Sequence, residues 1–131
     1  MIITHSFGSN RYDISKVLID EYGESIALNV LKKTGPKTLS IASDDENTLN
    51  LAVNACNKLI DKSYAADTQF FPSIKNLLSV TETPALLFPG NGTQIASDLK
   101  MSEDLSIFDI NAGCTGFVDA IRLCFGMSEP S

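Results

Sequence analysis

The decisive stretch is FDINAGCTGF, Phe108–Phe117. A strand-like run meets a helix-like run there, and Cys114 stands at the junction between Gly113 and Gly116. A buried cysteine packs as a small apolar residue and needs no such setting. A cysteine that reacts needs a favoured thiolate and an open approach, and a strand-to-helix turn offers both. If the helix begins near Cys114, the unpaired N–H groups of its first turn converge there and the dipole is positive. That field favours thiolate and supplies an N–H to a developing oxyanion. Gly113 and Gly116 remove side chains on either side, leaving room for a substrate carbonyl. A structural cysteine at a tight turn, with glycines needed only for backbone shape, gives the same pattern. The residues by themselves leave both readings open.

Working outward, Phe117, Val118, Ile121, Cys124 and Phe125 recur at helical spacing with Cys114, which predicts a helix with Cys124 on its buried face. LSIFDIN, just upstream, reads as a strand. Thr93 is a candidate cap for a short helix through Ile95 and Leu99. TPALLFPGNGTQ, with Pro84, Pro89 and a Gly-Asn-Gly turn, reads as a loop. IKNLLSVTET is a strand of the buried kind. The clearest helix carries Leu49, Ala52, Val53, Cys56, Leu59 and Ile60 on one stripe, behind a capping-box pattern at Ser43 and Glu46. Cys56 therefore reads as core. TLSIAS is a short strand candidate. YDISKVLIDEYG and SIALNVLKKTGPK read as helices ended by Gly23 and by Gly35 with Pro36. Helices alternating with strands across short loops indicate an α/β layered domain.

The 131 residues fit one compact domain, with 44% apolar and 20% charged residues, ordinary values for a globular protein. No apolar run is long enough to cross a bilayer, and the N-terminus shows no secretory pattern. The three cysteines are widely spaced and His5 is the only histidine, which argues against a metal site or a disulfide scaffold. Reduced thiols fit a cytoplasmic compartment. A net charge of −6 argues against nucleic-acid or membrane-surface binding. Lys32, Lys33 and Lys37 are a local exception. They read either as a solvated helix end favoured by the dipole or as a landing site for an anionic partner or phosphate.

FDINAGCTGFVDAI resembles the nucleophile segment of the 3-oxoacyl-acyl carrier protein synthase III family, within the thiolase superfamily. KKTG resembles the family's Arg-Thr-Gly segment, and LSIASDDENTLNLAVNACNKLI the helix that follows it. IKNLLSVTETPALLFPGNGTQIASDL resembles the strand, Thr-rich loop and Phe-Pro before the next helix. The matches run in order from Leu31 to Cys124. The resemblance implies a thiolase-like layered α/β fold, with residues 1–131 as its N-terminal half, a mixed sheet packed with helices, and the C-terminal half absent from this chain.

For function, the resemblance implies that Cys114 takes an acyl group from an acyl thioester. A carbanion from malonyl-acyl carrier protein then attacks that group in a decarboxylative Claisen condensation, serving fatty-acid or related acyl biosynthesis. Phe88 matches a phenylalanine that closes a partner's acyl pocket across a dimer interface, where LSIFDIN would also lie. Lys33 matches an arginine near the pantetheine tunnel, and lysine keeps its charge without the bidentate fork. With Lys32 and Lys37 it would meet carrier protein or phosphate. Asn29 falls where many members carry a tryptophan that stacks on coenzyme A, and this chain has no tryptophan. Glu82 replaces a usually small polar residue near the acyl pocket. The family's catalytic histidine and asparagine belong to its second half, and His5 reads as a surface or strand-end residue. The implied substrates are acyl-coenzyme A or acyl-carrier protein thioesters, with no further cofactor. The implied partners are acyl carrier protein and a second copy or complementary half. The other reading is a noncatalytic binding or structural subunit of a thiolase-like complex.

Overall fold

The structure is a computed structural model that describes residues 3–64 and 69–128. They group into two compact units, Phe7–Asn47 and Met1–Ser6 with Thr48–Ser131.

The smaller unit runs β1 (Asn10–Asp13), α1 (Ile14–Tyr22), α2 (Glu24–Thr34) and β2 (Thr38–Ile41). β1 pairs antiparallel with β2, Asn10 opposite Ile41 and Asp13 opposite Thr38. α1 starts two residues later than YDISKVLIDEYG suggests, because Tyr12 and Asp13 belong to β1. Asp13 is instead its N-cap, accepting from Ser15 N at 2.9 Å. Gly23 separates the two helices with φ 79°, and Ala27 of α2 is fully buried. The expected Ser43–Glu46 box forms, but as a turn rather than a helix start. Ser43 N donates to Glu46 Oε2 at 2.9 Å, and the next helix begins only at Thr48. Glu46 Oε2 also accepts from Ser9 N and Ser9 Oγ, both at 2.8 Å. These bonds, the Ser9 backbone bond foremost, hold the Glu46 carboxyl down to about 2.

The larger unit runs α3 (Thr48–Tyr64), β3 (Asn76–Val80), α4 (Asn91–Asp98), β4 (Ser106–Ile110), a 3-10 turn (Gly113–Thr115) and α5 (Gly116–Ser128). β3 and β4 pair in parallel, from Asn76 opposite Ser106 to Val80 opposite Ile110. A parallel pair needs a crossover, and α4 lies in it. Alternation sends side chains to two faces. Gly92 of α4 approaches Ile107 and Asp109, while Gly116 of α5 approaches Val80 and Ile110. The helices therefore cover opposite faces of the pair, and α3 packs on α4. This is a layered α/β arrangement. The antiparallel and parallel pairings of a mixed sheet are spread over two separate two-stranded sheets.

Among the described residues, the apolar side chains that are buried are Ala27, Ile95 and Ala120. The α3 stripe from Leu49 to Ile60 is half-buried. No described helix is long and apolar enough to cross a membrane.

Candidate active site

β3 and β4 end side by side, and Thr81 N donates to Ile110 O at 3.1 Å beyond the last paired residues. Glu82 follows one strand and Asn111 the other. The chain after Asn111 forms the tight turn that carries Cys114, which is exposed. Thr115 N and Thr115 Oγ1 both donate to Ala112 O, at 3.2 and 2.9 Å. Gly113 takes φ +55°, a conformation that costs a residue with a Cβ more than glycine. These bonds make a 3-10 turn first, so α5 begins at Gly116, two residues after Cys114. The thiol thus sits in the turn leading into the helix, as the strand-to-helix reading expects. Asp119, in the first turn of α5, accepts from Thr115 Oγ1 at 3.3 Å. An acidic side chain there is favoured by the dipole of the helix N-terminus.

The two glycines do different work. Gly116 is buried, and an added Cβ would lie 2.9 Å from Val80 Cγ1. Its missing side chain lets the helix approach the strand rather than opening a path for substrate. Gly113 is exposed, and a Cβ there would lie 3.3 Å from Glu82 Oε1. The Glu82 carboxylate therefore flanks the Cys114 turn.

The other cysteines divide. Cys56 is half-buried on α3, and burial pushes its thiol up. Cys124 is exposed, which corrects the buried face expected for it. α5 turns Gly116 and Ala120 toward the sheet and leaves Phe117 (69% exposed), Val118, Ile121 and Phe125 (74%) outward. Periodicity finds the large apolar stripe, but the small residues allow the closer approach to the strand.

Phe88 belongs to the same unit as Cys114, at the tip of the 81–90 loop, where it and Leu87 are each 91% exposed. Beside this tip is a cavity of about 170 Å³ lined by Thr81, Leu86, Leu87, Asn91, Asp109 and Asn111 among others. Cys114 does not line it. Lys32, Lys33 and Lys37 are exposed in the smaller unit, the first two in the last turn of α2. Asn29, also on α2, is exposed. His5 lies against α3, its carbonyl accepting from Lys58 Nζ at 3.0 Å. Among the described residues no three His, Cys, Asp or Glu side chains cluster as metal ligands would.

A group that the sequence reading passes over lies under the loop. Asn91 is 2% exposed. Its Oδ1 accepts from Ala85 N at 3.0 Å and Leu86 N at 3.4 Å, and its Nδ2 donates to Thr48 Oγ1 at 3.3 Å. Thr48 Oγ1 in turn donates to Thr83 O at 2.8 Å. Gly92 N donates to Asp109 Oδ1 at 2.8 Å, so α4 starts at Asn91 rather than behind a Thr93 cap. The Asn between two glycines signals a turn in the sequence, but nothing there ties it to Thr48.

No family model matches the chain. The beta-ketoacyl-acyl-carrier-protein synthase III of Thiobacillus denitrificans is 36% identical over 95 residues, 72% of this chain and 28% of that relative. The solved 3-oxoacyl-(acyl-carrier protein) synthase of Burkholderia xenovorans superposes with a TM-score of 0.79 at 22% identity, over 95% of this chain and 35% of that one. MvaS in complex with 3-hydroxy-3-methylglutaryl coenzyme A gives a TM-score of 0.77 at 19% identity, over 95% of this chain and 30% of that one. These two likenesses establish the fold. The chain spans 28% and 33% of the length of two curated relatives that it matches. It belongs to the 3-oxoacyl-acyl carrier protein synthase III family, within the thiolase superfamily, and corresponds to the N-terminal part of that fold.

Proposed function

We propose that this chain is the acyl-accepting part of a condensing enzyme of the synthase III type, with Cys114 as its nucleophile. The observation that carries this reading is the position of Cys114, exposed on the turn between β4 and α5 in a chain of this family. Cys114 Sγ attacks the carbonyl carbon of an acyl thioester, a new S–C bond forms, and the carrier thiol leaves with the proton. In the second step malonyl-acyl carrier protein loses carbon dioxide. Its carbanion attacks the acyl carbon, and the cysteine departs as thiolate. His5 is the only histidine and lies against α3. Groups for decarboxylation would therefore come from a C-terminal half outside these 131 residues.

Phe88 would close the acyl pocket of a second copy, and Lys32, Lys33 and Lys37 would meet the acidic carrier protein or its pantetheine phosphate. The substrates are acyl-coenzyme A or acyl-carrier protein thioesters, with no further cofactor, in cytoplasmic fatty-acid or related acyl synthesis. The outward apolar face of α5 supports work against a second body, a copy or the complementary half. The same face supports the other reading, a noncatalytic binding or structural subunit.

Incubation with a short acyl thioester, followed by intact-mass and peptide analysis, separates the two. Acyl transfer to Cys114 that is lost in Cys114→Ser is the expected result. Acylation of Cys124 as fast as Cys114, or of neither, would leave the binding subunit standing.

A further inference from the structure

We infer that Asn91, together with Thr48, is a positioning residue that presents Phe88 to a second copy of this chain. The inference rests on the reading of Phe88 as a contact between copies. Residues 81–90 contain no helix or strand, yet three points of the loop stem are tied down. Thr83 O accepts from Thr48 Oγ1, and the Ala85 and Leu86 amides both donate to Asn91 Oδ1. The far end is fixed as well. Gly90 leads into α4 with φ 100°, and a Cβ there would lie 2.5 Å from Asp109 Oδ2. Asp109 also accepts from Gly92 N. Only Leu87, Phe88 and Pro89 project between these anchors.

A loop tied in this way has lost its freedom before any partner arrives. Two apolar side chains that are 91% exposed at its tip are therefore presented, and association need not pay for ordering them. A second copy is the occupant that the surface itself suggests. The cavity of about 170 Å³ lies beside the tip of the same chain, and a space of about 150 Å³ accepts a benzene ring. Tip and cavity on one surface are self-complementary, as a two-fold interface requires. Asn91 reaches both the loop amides and, through Thr48, α3. It is 2% exposed and stands in the wall of that cavity, so its effect on association runs through Phe88, its own chain's or the partner's.

The test is sedimentation velocity over a concentration series with the full chain, the Phe88→Ala and Asn91→Ala variants and their double variant. Thr48→Ser is the conservative control, because its hydroxyl still accepts from Asn91 Nδ2 and donates to Thr83 O. Asn91→Ala should weaken self-association about tenfold, the scale of one or two lost hydrogen bonds, and Phe88→Ala at least as much, since it removes the contact itself. The double variant should be no weaker than Phe88→Ala, because Asn91 acts through Phe88. Thr48→Ser should associate within about threefold of the parent. Circular dichroism checks folding, and Thr48→Val with Thr48→Ser serves if Asn91→Ala does not fold. Thr48→Val should then weaken association and Thr48→Ser should not. A parent chain that stays monomeric, or a Phe88→Ala variant that associates normally, overturns the underlying reading of Phe88 and the inference with it. Association sensitive to Phe88 but not to Asn91 or Thr48, or additive losses in the double variant, overturns the inference alone.

Discussion

Replacing Gly116 by alanine is the sharpest probe of how α5 meets β3. The backbone at Gly116 is already helical, with φ −53° and ψ −37°, so alanine adds no backbone strain. Helix propensity alone would reward the change by up to about 1 kcal/mol. The opposing effect is steric. The new methyl would sit 2.9 Å from Val80 Cγ1, and Val80, being β-branched, has few rotamers into which to retreat. Overpacking of this kind costs about 1–3 kcal/mol. The steric effect wins, and Gly116→Ala should lose about 1 kcal/mol net. For a unit of this size that corresponds to roughly 5 °C in Tm. Val80→Ala removes the clashing methyl, so the Gly116→Ala/Val80→Ala pair should be more stable than additivity predicts by about 1–2 kcal/mol. Urea unfolding followed by circular dichroism, on all four members of the cycle, measures both quantities. A more stable Gly116→Ala, or strictly additive losses, would refute the close helix–strand approach. Gly116 would then be a glycine kept for some other reason.

Three further outcomes are expected. Glu46 has its carboxyl lowered from an ordinary 4.5 to about 2, so its contribution to stability is present above 4.5 and fades as pH falls toward 2. The stability difference between the parent and Glu46→Gln should shrink across that window, and a difference independent of pH would contradict the assignment. Cys56 is half-buried with its thiol raised, whereas Cys114 and Cys124 are exposed, so brief alkylation near neutral pH and peptide mapping should find Cys56 the slowest. Equal labelling of Cys56 and Cys114 in folded protein would count against that burial. If the lysine cluster serves the carrier protein, Lys33→Glu in the assembled enzyme should weaken carrier affinity at low salt, with the effect vanishing at high salt. Unchanged affinity at low salt would reduce the cluster to a solvated helix end.

The sequence alone determined much of the order of elements and the setting of the nucleophile candidate. Strong local signals account for this. Gly23 and Gly35 end their helices, the β3 and β4 segments are apolar runs, and the Cys114 turn lies between a strand and a helical stripe. The ordered family motifs also made the layered α/β fold legible. β1 escaped because NRYD has no apolar alternation, and its four residues are all exposed. Only pairing with β2, some 25 to 31 residues later along the chain, makes it a strand. Tertiary packing also decided which face of α5 is buried. Period 3.6 locates an apolar stripe, but Gly116 and Ala120 approach the strand more closely than Phe117 or Phe125 can. The Asn91 clamp was equally invisible, since Thr48 stands 43 positions earlier. A hydrogen bond across that separation leaves no mark in local composition, because it exists only once α3, α4 and the loop have been brought together.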